Sequence, residues 1–244
     1  MILLGIDTAT STGGVGIVEA SASSTRVLAD DSRIAGRTHG AQILEQIDAA
    51  LATAALDLAS VDAFAVANGP GSFTGLRVGM ATAKSLAWSC GRPIVGVPTL
   101  EAWASRALGQ RDQGGSSAGH AVAVVLDARK GEVYRAVFGA DGAGLKRLLP
   151  EAVESPEACV AALSGLRGEA LALTLLGDGA TRYAESFDAL GHAERIPMDS
   201  LPPAGSAVAA LAAPRALAGD FDDARRLTPA YVRASEAELS LARR

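Results

Sequence analysis

The chain has 244 residues, of which 49% are hydrophobic and 4% are aromatic, and its formal net charge at pH 7 is −5. The length and apolar fraction predict a compact protein with one large core or two smaller ones. The acidic balance argues against a protein that grips nucleic acid unaided, because neutralising phosphates requires a concentrated basic face. The chain has no apolar run of about twenty residues and no signal-peptide pattern at its start, so we expect a cytoplasmic protein without membrane contact.

The first half of the chain predicts three antiparallel strands followed by alternating helices and strands. Apolar residues recur at every third or fourth position between 43 and 54, which is typical of an amphipathic helix. Gly91 and Pro93 mark the end of a second helix. The expected order is strands 1–7, 15–18 and 27–29, helix 39–55, strand 63–67, helix 75–90, strand 94–97 and helix 99–108.

The same pattern begins again after a polar linker at 109–119. The expected order there is strand 121–127, a turn at 129–131, strands 132–138 and 145–149, helix 156–163, strand 171–176 and helix 204–218. In both halves the first strand ends in an aspartate, Asp7 or Asp127, and leads into a hairpin.

This repetition favours a duplicated α/β fold of the actin-like (ASKHA), ribonuclease-H-like type, in which each of two lobes carries a mixed sheet flanked by helices. The predicted limits are 1–108 for the N-terminal lobe, which would carry the interface helices, 120–233 for the C-terminal lobe and 234–244 for a flexible tail.

The glycine-rich turn at 68–79, NGPGSFTGLRVG, admits two interpretations. Gly69 and Gly71 permit close backbone approach and the free amides of a helix start attract anions, so the turn could bind phosphate. Its glycine spacing fits neither the P-loop nor the dinucleotide fingerprint, and Pro70 breaks the pattern of a serine nucleophile at Ser72. The alternative is a tight structural crossing from strand to helix.

Asp7 and Asp127 also admit two interpretations. Carboxylates at strand ends in a duplicated fold face the cleft, where they could hold a hydrated magnesium ion or a nucleotide. Ala9 stands where actin-like nucleotide sites have a glycine. The alternative is that both aspartates cap their hairpins through hydrogen bonds to the backbone. The candidate nucleotide-binding residues are thus Asp7, Asp127, Gly69 and Gly71, and we expect no cofactor.

The other side chains with potential chemistry are too scattered to form a site. The three histidines, His39, His120 and His192, lie far apart in the sequence and form no ligand pair, so no metal site is predicted. His39 is expected at a helix start and the other two in loops. Cys90 and Cys159 fall in predicted helical segments and are expected to be free buried thiols.

Small residues recur at every fourth position of the helix after the turn: Gly75, Gly79, Ala83 and Ala87. A face with almost no side chains permits very close packing, either against the protein's own sheet or against another helix. In the second case the helix would share an association surface with helix 39–55, whose apolar positions we expect to be exposed in the monomer.

Five motifs in this chain together resemble the TsaB (YeaZ-like) family. They are GIDTAT at 5–10, NGPGSFTGLRVG at 68–79, GVPTL at 96–100, DARKGEVY at 127–134 and PAYVR at 229–233. The resemblance spans nearly the whole chain in the family's order. It implies an actin-like fold and a role in forming N6-threonylcarbamoyladenosine next to the anticodon of tRNAs that read codons beginning with A.

The resemblance also implies partners. In this family the chemistry is done by a paralogue, TsaD, with which TsaB-like subunits pair, while the ATPase TsaE joins the pair and a separate synthase supplies the threonylcarbamoyl adenylate. We expect a heterodimer with TsaD through a four-helix contact, a homodimer when the chain is alone, and no direct tRNA binding. The expected contact residues are Ile43, Ile47, Leu51, Gly75, Gly79, Met80, Ala83 and Ala87.

One segment separates this chain from the catalytic relative. A TsaD-like pattern has two metal-binding histidines in a His-x-Glu-Gly-His run, whereas Thr99 and Trp103 occupy those positions here. The resemblance therefore implies a non-catalytic subunit. The alternatives are an actin-like nucleotide-dependent phosphotransferase, a peptidase-like enzyme, or a stand-alone structural dimer.

Overall fold

Two five-stranded sheets with the same strand order organise the chain. The computed structural model describes residues 1–10, 12–33, 39–112, 119–140, 145–166, 172–191, 193–201 and 204–232. The first sheet contains β1 (Ile2–Asp7), β2 (Gly14–Ala20), β3 (Thr25–Arg33), β4 (Ala63–Gly69) and β5 (Ile94–Pro98). The second contains β6 (His120–Arg129), β7 (Glu132–Ala140), β8 (Leu145–Glu154), β9 (Ala172–Leu176) and β10 (Glu194–Ile196).

Helices precede the parallel strands in the sequence, and another helix comes after the last strand of each sheet. They are α1 (His39–Thr53), α2 (Phe73–Cys90), α3 (Thr99–Asp112), α4 (Pro156–Ser164), α5 (Asp178–Arg182), α6 (Ala184–Phe187) and α7 (Gly205–Leu217). Short 3-10 turns lie at Leu58–Ser60, Asp188–Leu190 and Met198–Ser200. None of the helices in the described ranges is long and apolar enough to cross a membrane.

The strand order confirms the predicted duplication. The first sheet runs β3-β2-β1-β4-β5 and the second runs β8-β7-β6-β9-β10. In each, an antiparallel meander of the first three strands is extended by two parallel strands. Two mixed sheets with this shared topology and flanking helices confirm the ribonuclease-H-like α/β fold.

Helices α3 and α7 join the two halves of the chain, because each contacts the sheet formed by the other half. Helix α3 contacts β6, β7 and β8 of the second sheet, whereas α7 contacts β1, β2, β4 and β5 of the first. Arg106 on α3 forms an ion pair with Asp30 on β3 at 2.6 Å, and it also donates to the Ser206 hydroxyl on α7. The predicted lobe limits place α7 in the C-terminal lobe. In the structure, α7 packs on the sheet formed by the N-terminal half.

Two glycines explain how α7 comes so close to the first sheet. A Cβ at Gly16 in β2 would lie 2.2 Å from the backbone nitrogen of Ser206, and one at Gly5 in β1 would lie 2.2 Å from the carbonyl oxygen of Gly205. Any side chain at either position would force the helix away from the sheet. The alanine-rich helix therefore packs with its backbone against the strands.

Some predicted elements needed correction. The expected linker begins too early, because α3 continues through Gly109 to Asp112, and 113–118 lie outside the described residues. Strand β10 and the short helices α5 and α6 were not predicted. His120 begins β6 rather than lying in a loop. Cys159 is buried as expected, but Cys90 is only half-buried, and both thiols are free.

A segment that follows α7, residues 219–232, crosses the open edge of the first sheet, and we call it the C-terminal strap. Asp222 donates its N–H to the carbonyl of Ile94 at 3.0 Å, and its carboxylate accepts the N–H of Gly96 at 2.7 Å. Farther along, the N–H of Ala230 donates to the Asn68 carbonyl at 2.6 Å. The strap therefore closes the β5 edge and ends beside the glycine-rich turn.

Candidate functional site

The strand-end carboxylate of Asp7 is fully buried. Its Oδ1 accepts the N–H of Ala9 at 2.8 Å, and its Oδ2 accepts the indole N–H of Trp103 at 3.1 Å. Burial raises the pKa of Asp7 to about 6, although both hydrogen bonds oppose the rise. Both carboxylate oxygens are thus engaged by donors of the protein itself.

Asp127 at the end of β6 repeats this arrangement in the second half. Its Oδ1 accepts the N–H of Arg129 at 2.9 Å and the hydroxyl of Tyr183 at 3.3 Å. Its Oδ2 pairs with the guanidinium groups of Arg129 at 3.1 Å and Arg182 at 3.6 Å, and only 3% of the side chain is exposed. Each aspartate bonds the backbone N–H two residues on, which supports the hairpin-capping interpretation for both.

The glycine-rich turn packs tightly against other backbone. The N–H of Gly69 donates to the Thr99 hydroxyl at 3.1 Å, and the N–H of Ser72 donates to the Ala9 carbonyl at 2.7 Å. Gly69 has φ of +124°, and a Cβ there would lie 2.6 Å from the Ala230 carbonyl oxygen. These amides are used within the protein, which supports the structural-crossing interpretation over phosphate binding.

The two residues that replace the histidines of the catalytic pattern have structural partners. Both Thr99 and Trp103 are completely buried. Thr99 begins α3 and accepts from the turn, while Trp103 on the same helix fills the space beside Asp7. Among the described residues, His, Cys, Asp and Glu form no group of three or more that could hold a metal ion. His192 and the side chain of His39 lie outside what the structure describes.

The small face of α2 packs on the protein's own first strand. A Cβ at Gly75 would lie 1.9 Å from the carbonyl oxygen of Thr8, and one at Gly79 would lie 2.2 Å from the Thr8 hydroxyl. Ala83 and Ala87 continue this face into the core between α2 and the sheet. The spacing of small residues therefore reflects helix-on-sheet packing.

The apolar residues expected on a partner surface are instead part of this core. The exposed fractions are 1% for Ile43, 2% for Ile47, 6% for Leu51, 4% for Met80, 0% for Ala83 and 2% for Ala87, and Gly75 and Gly79 are also buried. The expectation that Ile43, Ile47 and Leu51 of helix 39–55 are exposed in the monomer is wrong. The apolar face of α1 packs against β2 and β3 of the same chain.

The opposite side of α2 carries the exposed residues. Phe73, Arg77, Ala81 and Trp88 are exposed there, and the half-buried Lys84 shares their helical spacing; we call these five residues the outer stripe. Phe73 is 47% exposed, Trp88 is 77% exposed, and Leu44 on the neighbouring α1 is 55% exposed. Large apolar side chains with this exposure are typical of protein contact surfaces. Of the five residues in the outer stripe, only Phe73 and Trp88 are large and apolar, so apolar spacing in the sequence did not reveal this side of the helix.

The two outer helices also differ in charge. Helix α1 contains Glu45 and Asp48 but no Lys or Arg, whereas α2 contains Arg77 and Lys84 but no acid. A second pair of helices with the same charges could therefore dock with its acidic helix on the basic one.

Comparison with known proteins agrees with this architecture. The family described as tRNA N6-adenosine threonylcarbamoyltransferase (TsaD) matches residues 32–238. An uncharacterized protein of Mycobacterium leprae is 38% identical over 155 residues, which are 64% of this chain but only 39% of that protein. The tRNA threonylcarbamoyladenosine biosynthesis protein TsaB of Escherichia coli is 34% identical over 170 residues, 69% of each chain.

The fold is also similar to that of a solved structure over nearly its whole length. YeaZ from Pseudomonas aeruginosa superposes with a TM-score of 0.70 at 25% identity, covering 94% of this chain and 100% of that one. The resemblance inferred from the sequence motifs is thereby confirmed. Because the family match covers most of the chain and the E. coli relative exceeds 30% identity over 69% of it, the chain belongs to the TsaD family and, within it, to the TsaB (YeaZ-like) group.

Proposed function

We propose that this chain is the non-catalytic partner subunit of a tRNA N6-adenosine threonylcarbamoyltransferase, TsaD, and supports it in forming N6-threonylcarbamoyladenosine on tRNA. Relatives from Haemophilus influenzae, E. coli and Bacillus subtilis carry the name tRNA threonylcarbamoyladenosine biosynthesis protein TsaB. A relative from Tropheryma whipplei, 34% identical over 137 residues, is named as the transferase itself. The chain is thus similar both to proteins named for this biosynthesis and to the transferase, which supports a role beside that enzyme.

The buried Asp7 and Trp103 pair is the observation that carries the non-catalytic part of the proposal. Trp103 occupies the position of a metal-binding histidine in the catalytic pattern, and its indole N–H is committed to Asp7 at 3.1 Å. The indole has no lone pair to offer a cation, and it fills the cleft beside the acid. This supports a packing role for Trp103 in place of metal binding.

We propose that the partner contact is made by the outer faces of α1 and α2. Leu44 and the outer stripe supply exposed apolar area with basic groups beside it, and α1 supplies the acids. Two similar helices of TsaD would complete a four-helix contact, and a second copy of this chain would use the same faces in its absence. The ATPase TsaE would join the assembled pair.

A pair of alanines on α2 tests this assignment. Ala81 is exposed on the outer stripe, whereas Ala83, two residues on, is completely buried against the sheet. We expect Ala81→Glu to fold normally and to weaken TsaD binding by at least about tenfold, because a charge would be buried in the contact. Ala83→Glu should instead unfold the chain, because the charge would enter its own core.

The measurement is co-purification of each variant with its cognate TsaD, with folding checked by circular dichroism. A tRNA modification assay with and without the chain then tests the role itself. Full binding by a folded Ala81→Glu protein would show that the contact lies elsewhere. Calorimetry of the isolated chain with ATP and magnesium tests the enzyme alternatives, since tight binding with turnover would favour a phosphotransferase.

A further inference from the structure

At the start of α2, two residues of the outer stripe meet a tyrosine of the C-terminal strap. Phe73 and Tyr231 lie with their ring centroids 5.4 Å apart, and the Arg77 guanidinium carbon lies 3.9 Å above the Phe73 ring. The Nε–H of Arg77 donates to the Tyr231 hydroxyl at 3.0 Å. We call these three residues the aromatic-arginine cluster. It joins positions 154 residues apart in the sequence.

The cluster keeps a large apolar area in contact with water. Phe73 is 47% exposed and Tyr231 is 44% exposed, although both rings are held in defined positions. Aromatic residues and arginine are enriched in protein interfaces and dominate their binding energy. Side chains that are already ordered lose less conformational entropy when a partner binds. The cluster therefore has the composition and the rigidity of an interface anchor.

The C-terminal strap holds Tyr231 in place. The Arg215 guanidinium bonds the carboxylates of Asp220 and Asp222, and Asp222 is tied to the edge strand β5. One residue before Tyr231, the backbone of Ala230 bonds Asn68 at 2.6 Å. Residues 229–231 of the PAYVR motif thus bring an exposed tyrosine to the start of α2, while Arg233 lies outside the described residues.

The charge of the cluster specifies what it can bind. Across the described parts of the chain, no carboxylate lies within ion-pair distance of Arg77, and its only hydrogen bond there is the one to Tyr231. The two terminal nitrogens of its guanidinium therefore retain their donors for a bidentate contact with a carboxylate. Helix α2 has no acid that would compete for them.

We propose that the aromatic-arginine cluster is the anchor of the contact with TsaD, and that it binds a carboxylate flanked by apolar side chains on that subunit. The inference rests on the proposed function, because it names the part of the same contact that carries most of the affinity. It also makes the C-terminal strap part of the binding surface, since the strap supplies Tyr231.

The test is the affinity of TsaD for variants of the full chain, measured by calorimetry at about 50 mM and about 500 mM salt. We expect Phe73→Ala and Tyr231→Ala each to weaken binding by at least about tenfold. Arg77→Gln should weaken it similarly at low salt and reduce the salt dependence of binding, because one ion pair is lost. Val27→Ala and Leu217→Ala are matched controls, with exposed fractions of 49% and 41% away from α2.

The outcomes separate this inference from the proposed function. If Ala81→Glu abolishes binding while all three cluster variants bind like the wild type, the inference is overturned and the proposed function stands. If the wild-type chain does not bind TsaD at all, both fail. Variants that change self-association of the isolated chain but not its affinity for TsaD would assign the cluster to a second copy and would also overturn it. If Tyr231→Ala lowers the melting temperature, Arg77→Gln decides the question.

Discussion

Replacing Gly75 with alanine is expected to lower the free energy of unfolding by about 3 kcal/mol. The new Cβ would lie 1.9 Å from the carbonyl oxygen of Thr8, which is backbone and cannot rotate away. The Thr8 hydroxyl donates to the Gly75 carbonyl at 2.7 Å, so the two segments are held together from both sides. Either α2 must lift from the first strand or the turn that follows β1 must shift.

Gly109 in α3 provides the matched control. It is also a helical glycine, but it is exposed and has no atom within 4 Å of the position of an added Cβ. Gly109→Ala should therefore raise the free energy of unfolding by about 0.5–1 kcal/mol, because alanine restricts the unfolded chain and favours the helix. Urea unfolding followed by circular dichroism measures both variants. Equal stability of Gly75→Ala and wild type would contradict the close packing of α2 on β1.

The second large effect concerns the dependence of stability on pH through Asp7. The pKa of its carboxyl rises from 3.8 to about 6 on folding, because burial removes water from the charged form. Between these two values the folded protein binds more protons than the unfolded chain, so stability falls as pH rises through this range. Above about pH 6 the carboxylate is ionised in both states, and the folded state bears the full cost of about 3 kcal/mol.

Comparison with Asp7→Asn isolates this contribution from other acids. The stability of the wild type relative to Asp7→Asn should decrease by about 2.5 kcal/mol between pH 4 and pH 7, measured by urea unfolding at each pH. Trp103→Phe removes the indole donor that lowers the pKa of Asp7, so it should destabilise the protein more at pH 7.5 than at pH 5. If the difference in unfolding free energy between wild type and Asp7→Asn stays constant with pH, folding does not change the pKa of Asp7.

The repeated strand and helix order was readable from the sequence because it depends on local patterns. Asp7 and Asp127 each end a strand before a hairpin, and the apolar spacing of the helices and strands follows in the same order in both halves. Hairpin turns and helix ends are set by nearby residues, such as Gly91, which closes α2 in the left-handed conformation with φ of +62°. Such signals do not depend on the rest of the fold.

The covered and exposed faces of the helices could not be read from the sequence in this way. Apolar spacing shows which face of a helix avoids water, but it does not show what covers that face. Ile43 and Ile47 on α1 are covered by the protein's own sheet, while Trp88 on α2 is left 77% exposed. The same spacing would have been produced by a helix that buries its apolar face against another protein.

By itself, then, the sequence determined the duplicated fold, the family, and the conclusion that the glycine-rich turn lacks the spacing of known phosphate-binding motifs. Tertiary structure alone decided that α7 packs on the sheet of the opposite half, that Trp103 caps the carboxylate of Asp7, and that the strap brings Tyr231 to Arg77. These contacts join residues about a hundred or more positions apart. Their energies depend on burial and on geometry across the whole chain, which no local pattern encodes.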